Sequence, residues 1–151
     1  RQDPDCILIG ELRDKETMIA AIQAAETGHL VLGSLHCSDA PQSFNRILEF
    51  FPRSEHAFIR SSLANSLRAI MCQRLLKGIE ETRRFPATEI LLNNSVVKDK
   101  ILREKDSELP GVITGGQESG MHSFTDSLCE LIQKELVHYD TAMDHAPFST
   151  G

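Results

Sequence analysis

The chain has 151 residues, enough for one ordinary domain with a core of its own, and its 40% hydrophobic and 25% charged residues are the balance of a globular protein. A net charge of -6 gives no electrostatic reason to expect nucleic acid or an anionic membrane as partner, and no apolar run approaches the roughly 20 residues of a membrane span. The start of the sequence is no signal peptide, because Asp3 and Asp5 stand where a basic region belongs, and Cys6, Cys37, Cys72 and Cys129 form no Cys-x-x-Cys pair that would suggest a zinc ribbon.

Cys6 to Gly10 is a continuous apolar run, the pattern of a parallel strand buried on both faces. Asp14 is placed to cap a helix through about Thr27, with Met18, Ile22 and Ala25 on one side and Gly28 as the stop. His29 to Leu35 reads as a second buried strand, so the first 35 residues form a βαβ unit and predict a parallel sheet. Asp39 and Pro41 open a second helix with Phe44, Ile47, Leu48 and Phe51 inward, ended by Pro52.

From Ser54 a periodic stretch carries Phe58, Ile59, Leu63 and Leu67, and from Ala69 to Leu76 it continues as helix or turns into strand. Ala87 to Leu92 is a second apolar run, and the two runs are read as an antiparallel pair in which Pro86 marks an edge or a strand start. Asn94 or Ser95 caps a helix through Arg103. Gly115, Gly116 and Gly120 break the chain. Ser123 and Asp126 make a capping-box-like start for a helix with Leu128, Leu131, Ile132 and Leu136 inward, and a last short helix is expected near Tyr139 to His145. A boundary near Gly115-Gly116 separates an α/β part, 1–115, from a helical C-terminal segment, 116–151.

Ligands of open parallel sheets bind beyond the carboxyl ends of the strands. Two ionisable residues fall there: Glu11 after the first strand and His36 after the second. A carboxylate at that edge can take a proton from an attacking water, and a histidine beside it can contact a phosphate; the plain alternatives are a helix-capping acid and a satisfied polar histidine. If the strands are parallel, His29 sits at their opposite edge, about 20 Å from His36 for a strand of six residues at roughly 3.3 Å each. His56, His122, His138 and His145 show no metal-ligand spacing, and Arg60, Arg68 and Arg74 are assigned no role, since arginines on such helices are mostly solvated.

The run Asp3-Pro4-Asp5-Cys6-Ile7-Leu8-Ile9-Gly10-Glu11-Leu12-Arg13-Asp14 resembles the Walker B segment of secretion and pilus ATPases. Ala24-Ala25-Glu26-Thr27-Gly28-His29-Leu30-Val31-Leu32-Gly33-Ser34-Leu35-His36 is similar to the histidine box of the same superfamily. The wording Ala-Ala-Glu-Thr-Gly-His and the absence of a four-cysteine insert favour its twitching-motility (retraction, PilT-type) branch. Val97 to Glu104 keeps only the end of that branch's Ala-Ile-Arg-Asn-Leu-Ile-Arg-Glu motif. Pro86 replaces a usual strand residue, and Thr125 stands where the branch commonly has Asp.

The resemblance implies an α/β fold: the C-terminal half of a RecA-like P-loop ATPase core, with a parallel sheet, helices and an antiparallel strand pair, followed by a small helical C-terminus. It implies Glu11 as catalytic base, His36 as γ-phosphate sensor, and Gly10, Arg13, Asp14 and His29 in supporting places, His29 in a structural or subunit-interface one. It further implies ATP and Mg2+ as nucleotide and metal, a hexameric homo-oligomer, a pilus inner-membrane platform protein as partner, and a cytoplasmic, peripheral location. No Gly-x-x-x-x-Gly-Lys-Ser/Thr loop occurs, so the sequence is expected to be part of a longer protein and inactive alone, the main phosphate and metal ligands lying elsewhere. A pilus assembly or type II secretion motor, and a non-catalytic interaction module, stand as the alternative readings.

Overall fold

The computed structural model describes residues 4–147; Asp3 of the acidic opening segment lies outside the described residues. The chain divides into two compact units, Arg1–Arg68 with Asn93–Leu109, and Ala69–Leu92 with Pro110–Gly151.

In the first unit, β1 (Cys6–Ile9) pairs in parallel with β2 (Leu30–Gly33), Cys6 opposite Leu30 and Ile9 opposite Gly33. The crossover is α1 (Lys15–Glu26), which begins where the Asp14 carboxylate accepts the Thr17 N–H at 2.8 Å. It ends before Gly28, whose φ of +95° is a left-handed conformation that glycine adopts without a Cβ penalty. Met18, Ala21 and Ile22 are its buried side chains, Ala25 being only half-buried. The expectation of strands buried on both faces is not met. Ile7 and Ile9 are half-buried, but Leu8 is 77% exposed, and Leu30 and Leu32 are exposed too. An apolar run reports that a strand suits burial, whereas a two-stranded sheet with α1 packed on β2 receives cover from one side.

Helix α2 (Ala40–Leu48) starts on the Asp39 carboxylate, which accepts the Gln42 N–H at 2.9 Å, and Pro41 sits in its first turn. Phe44, Ile47, Leu48 and Phe51 are buried as their spacing predicts. A 3₁₀ turn, Arg53–Glu55, leads into α3 (His56–Ser66), which buries Ile59, Leu63 and Ala64. Phe58 is the exception to its stretch, 70% exposed. At about 100° per residue it lies off the stripe that Ile59 and Leu63 share. Packed on α3 is α4 (Ser95–Leu102), capped by Asn94 through the Val97 N–H at 2.9 Å, with Val97 and Ile101 fully buried. Arg60, expected to be solvated, is buried instead. Its guanidinium meets both Asp106 oxygens, at 2.9 and 2.8 Å, and the Ile101 carbonyl at 3.2 Å. Hydrogen bonding to Asp106 raises its pKa against the opposing effect of burial, so the side chain stays charged.

The second unit is built on β3 (Ala69–Lys77) and β4 (Arg84–Leu92), antiparallel, with Ala69 opposite Leu92 and Lys77 opposite Arg84. Pro86 lies inside β4, opposite Leu75, near the start of a strand whose outer edge is bonded only further along, where the Ile90 N–H donates to the His122 carbonyl at 2.9 Å. Of α5 (Leu109–Gly115), residues from Pro110 onward belong to this unit. Helix α6 (Phe124–Gln133) opens with the reciprocal Ser123–Asp126 capping box, and α7 (Tyr139–His145) packs on β3. Leu76, Ala87 and Leu91 on the strands, with Phe124 and Val137, are buried. Arg74, also expected to be solvated, is half-buried and sits 4.2 Å from the centroid of the Phe124 ring. The compact units do not follow the division at 115/116. Gly115-Gly116 terminates α5 inside the second unit, and the hairpin joins the C-terminal helices because α6 packs against β4.

Candidate active site

The site grows from the carboxyl ends of the two parallel strands. Past Ile9 and Gly33 the ladder has ended, yet the two tails stay side by side. The Leu12 N–H donates to the Ser34 carbonyl at 2.8 Å, and the Ser34 hydroxyl donates to the Gly10 carbonyl. Between those two bonds lies Glu11. Gly33 approaches the same turn: a Cβ there would lie 2.9 Å from Leu12 Cδ1 and 3.0 Å from Cγ. At Gly10, by contrast, a Cβ would meet nothing within 4 Å, so packing does not require glycine there.

Two residues beyond Ser34, His36 Nε2 comes within 3.3 Å of Glu11 Oε1. Both side chains face solvent, 86% exposed for His36 and 45% for Glu11. The pair therefore stands together at one sheet edge, open to a ligand. His29 stands at the other: the next residue's N–H, that of Leu30, pairs with the Asp5 carbonyl at 3.0 Å. Its Nδ1 lies 3.0 Å from the Ala24 carbonyl, which can only accept, and 3.2 Å from Thr27 Oγ1. These contacts tie the imidazole to the end of α1 and leave it out of the Glu11–His36 pair.

Asp14 is engaged as the cap of α1, and the hydrogen bond from the Thr17 N–H holds its carboxyl below the ordinary 3.8. Arg13 is exposed, and its charge adds a small part to the lowering of the Asp14 carboxyl. Of the other histidines, His56 Nε2 lies 3.0 Å from the Phe51 carbonyl and His122 Nε2 lies 2.7 Å from Thr88 Oγ1. Among the described residues no cluster of three or more His, Cys, Asp or Glu side chains is placed to hold a metal ion. Among them, also, no helix is long and apolar enough to cross a membrane.

Ser34 is the site residue that the sequence reading did not single out. A lone serine at the end of an apolar run carries no distinguishing signal, and its two bonds depend on Gly10, 24 residues away, and on Leu12.

Residues 1–122 match the family described as Type II/IV secretion system protein, and the chain belongs to that family. It is similar to the twitching motility protein of Neisseria gonorrhoeae, 41% identical over 146 residues, covering 97% of this chain and 39% of that protein. It is similar also to the type IV pilus retractation ATPase PilT of Pseudomonas aeruginosa, 38% identical over 146 residues, covering 97% of this chain and 42% of that protein. In structure it resembles a crystal structure of the pilus retraction motor PilT with bound ADP, with a TM-score of 0.87 and 33% identity over 98% of this chain and 41% of that one. The chain thus spans about two fifths of the length of the proteins it matches. The resemblance carried by the Asp3–Asp14 and Ala24–His36 segments holds, and so does the expected α/β fold with its parallel and antiparallel strand pairs.

Proposed function

We propose that this chain is part of a hexameric motor ATPase that hydrolyses ATP to power type IV pilus retraction. The observation that carries the reading is the Glu11–His36 pair, 3.3 Å apart beyond the carboxyl ends of two parallel strands. A nucleotide whose γ-phosphate lies at this edge presents a water to Glu11 and a phosphate oxygen to His36. Glu11 takes the proton of the attacking water, and His36 registers the phosphate, so one side chain does chemistry while its neighbour reports occupancy. Arg13, Asp14 and Gly10 support this edge without touching the reacting atoms, and His29, at the opposite edge, takes a structural or subunit-interface part. The likeness to twitching-motility and retraction proteins over 97% of the chain favours the retraction branch.

Magnesium, the cation such a reaction uses, would be held by residues other than those described, and none of the roles given to Glu11 and His36 passes through it. Assembly as a ring, docking on an inner-membrane platform protein and a cytoplasmic, peripheral location belong to the same proposal. The test is Glu11→Gln in the intact protein. Turnover should fall by about 10²–10⁴-fold with ATP binding retained, because the amide keeps the shape and cannot take a proton. A variant with more than about half of the normal rate would reduce Glu11 to a surface acid.

A further inference from the structure

We infer that Ser34 is a positioning residue for Glu11, acting through the backbone of the turn that carries it. This role presupposes the ATPase reading above, in which Glu11 acts on water. The Glu11 side chain has little of its own to hold it. It is 45% exposed, its contact is an imidazole 86% exposed, and such exposed pairs constrain geometry weakly. Nor does packing fix the preceding residue, since the space around Gly10 is open.

What restrains the turn is Ser34, once on each side of Glu11. Its carbonyl accepts the Leu12 N–H at 2.8 Å, and its hydroxyl donates to the Gly10 carbonyl. Any residue at 34 supplies the first bond, but the second needs a hydroxyl on Cβ, that of serine or threonine. The same residue starts the short loop that brings His36 to Glu11, so its hydroxyl adds the second of two ties between the strand tails. A general base must lie within hydrogen-bond reach of its water, and a displacement of about 1 Å can cost about 10²-fold in rate. Ser34 is itself exposed, so removing its hydroxyl empties no core. Its loss should be felt in rate far more than in stability.

The experiment measures kcat and KM for ATP, with melting temperature, in the intact protein. Ser34→Ala should lower kcat by about tenfold or more with KM within about twofold, and Ser34→Thr should restore most of the rate. In a Glu11→Gln background, Ser34→Ala should cost nothing further, because the group it positions is gone. Ser34→Thr and Ser34→Val have the same shape and differ in the hydroxyl, so they decide the matter even if the alanine variant folds poorly. A valine variant as active as the threonine one overturns the role. If Glu11→Gln kills turnover while Ser34→Ala and Ser34→Val stay near wild type, the positioning role fails alone. If Glu11→Gln keeps its rate, the ATPase reading fails, and the positioning role with it.

Discussion

Two carboxylates in the first unit each face a nitrogen-bearing side chain, and they are built in opposite ways. Asp106 receives Arg60 through two parallel hydrogen bonds, with the side chains only 14% and 8% exposed. Glu11 meets His36 through one contact at 3.3 Å, in the open. Bidentate geometry and burial make the first pair a fixed strut, because either partner left alone would be a desolvated charge. Exposure makes the second pair exchangeable: contacts of that kind are worth about 0–1 kcal/mol, so a phosphate or a water can displace one member for little. Rigidity therefore sits in the helices behind the sheet, and freedom to change partners sits at its edge.

That contrast can be broken by mutation. The largest effect on stability is expected at the strut. Arg60→Met should destabilise the fold by about 3 kcal/mol or more in denaturant unfolding, and adding Asp106→Leu should recover most of the loss, since a buried pair exchanged for apolar side chains is often neutral. If Arg60→Met alone were harmless, the pair would not be the strut described. At the edge the same measurement should show almost nothing: His36→Ala is expected within about 0.5 kcal/mol of wild type. In the intact protein, however, His36→Ala should uncouple hydrolysis from γ-phosphate binding, erasing about 1.5–3 kcal/mol of preference for ATP over ADP, the worth of a hydrogen bond to a charged group.

His29→Ala sharpens the comparison from the far end of the same strand. It should cost about 1 kcal/mol of stability through the lost contact with Ala24, seen as a lower melting temperature, and leave the ATP preference intact. The smallest effect is a pH dependence at Asp14. Its carboxyl is held below 3.8 in the fold, so its contribution is complete above the unfolded value and is lost as pH falls through the lower, folded one. Asp14→Ala should thus lower the melting temperature at neutral pH, with the gap to wild type closing in acid as pH falls from the ordinary 3.8 through the lower, folded value. A gap that persists there would mean that the carboxylate is not what the helix start depends on.

Much of this was legible in the residues, and the reasons are local. Asp14, Asp39, Asn94 and Ser123 cap helices at the positions their spacing indicates, because an N-cap needs only its own side chain and the next three residues. Glu11 and His36 were predicted to meet because parallel strands put their carboxyl ends together. What stayed hidden depended on distant partners. Arg60 looked like a surface arginine until Asp106, 46 residues later, came beside it. The end of α6 is followed by Glu135 at a φ of 56°, where no glycine marks the stop, whereas the end of α4 was readable at Arg103, its C-cap. Exposure of Leu8 and Phe58 was equally out of reach, since an apolar residue announces a preference for burial and not the presence of a cover.

The approach of Gly33 to Leu12 also bears on how this edge can change over generations. With a Cβ at 33 only 2.9 Å from Leu12 Cδ1, the two positions share one volume across the strand tails, and that volume adjoins Glu11. Enlarging position 33 while leucine remains at 12 pushes against the residue next to the proposed base. Shortening position 12 to alanine first opens the room, after which alanine at 33 enters without a clash. Descendants of this sequence therefore have a preferred order of steps, small at 12 before larger at 33, and the two positions are expected to drift as a linked pair.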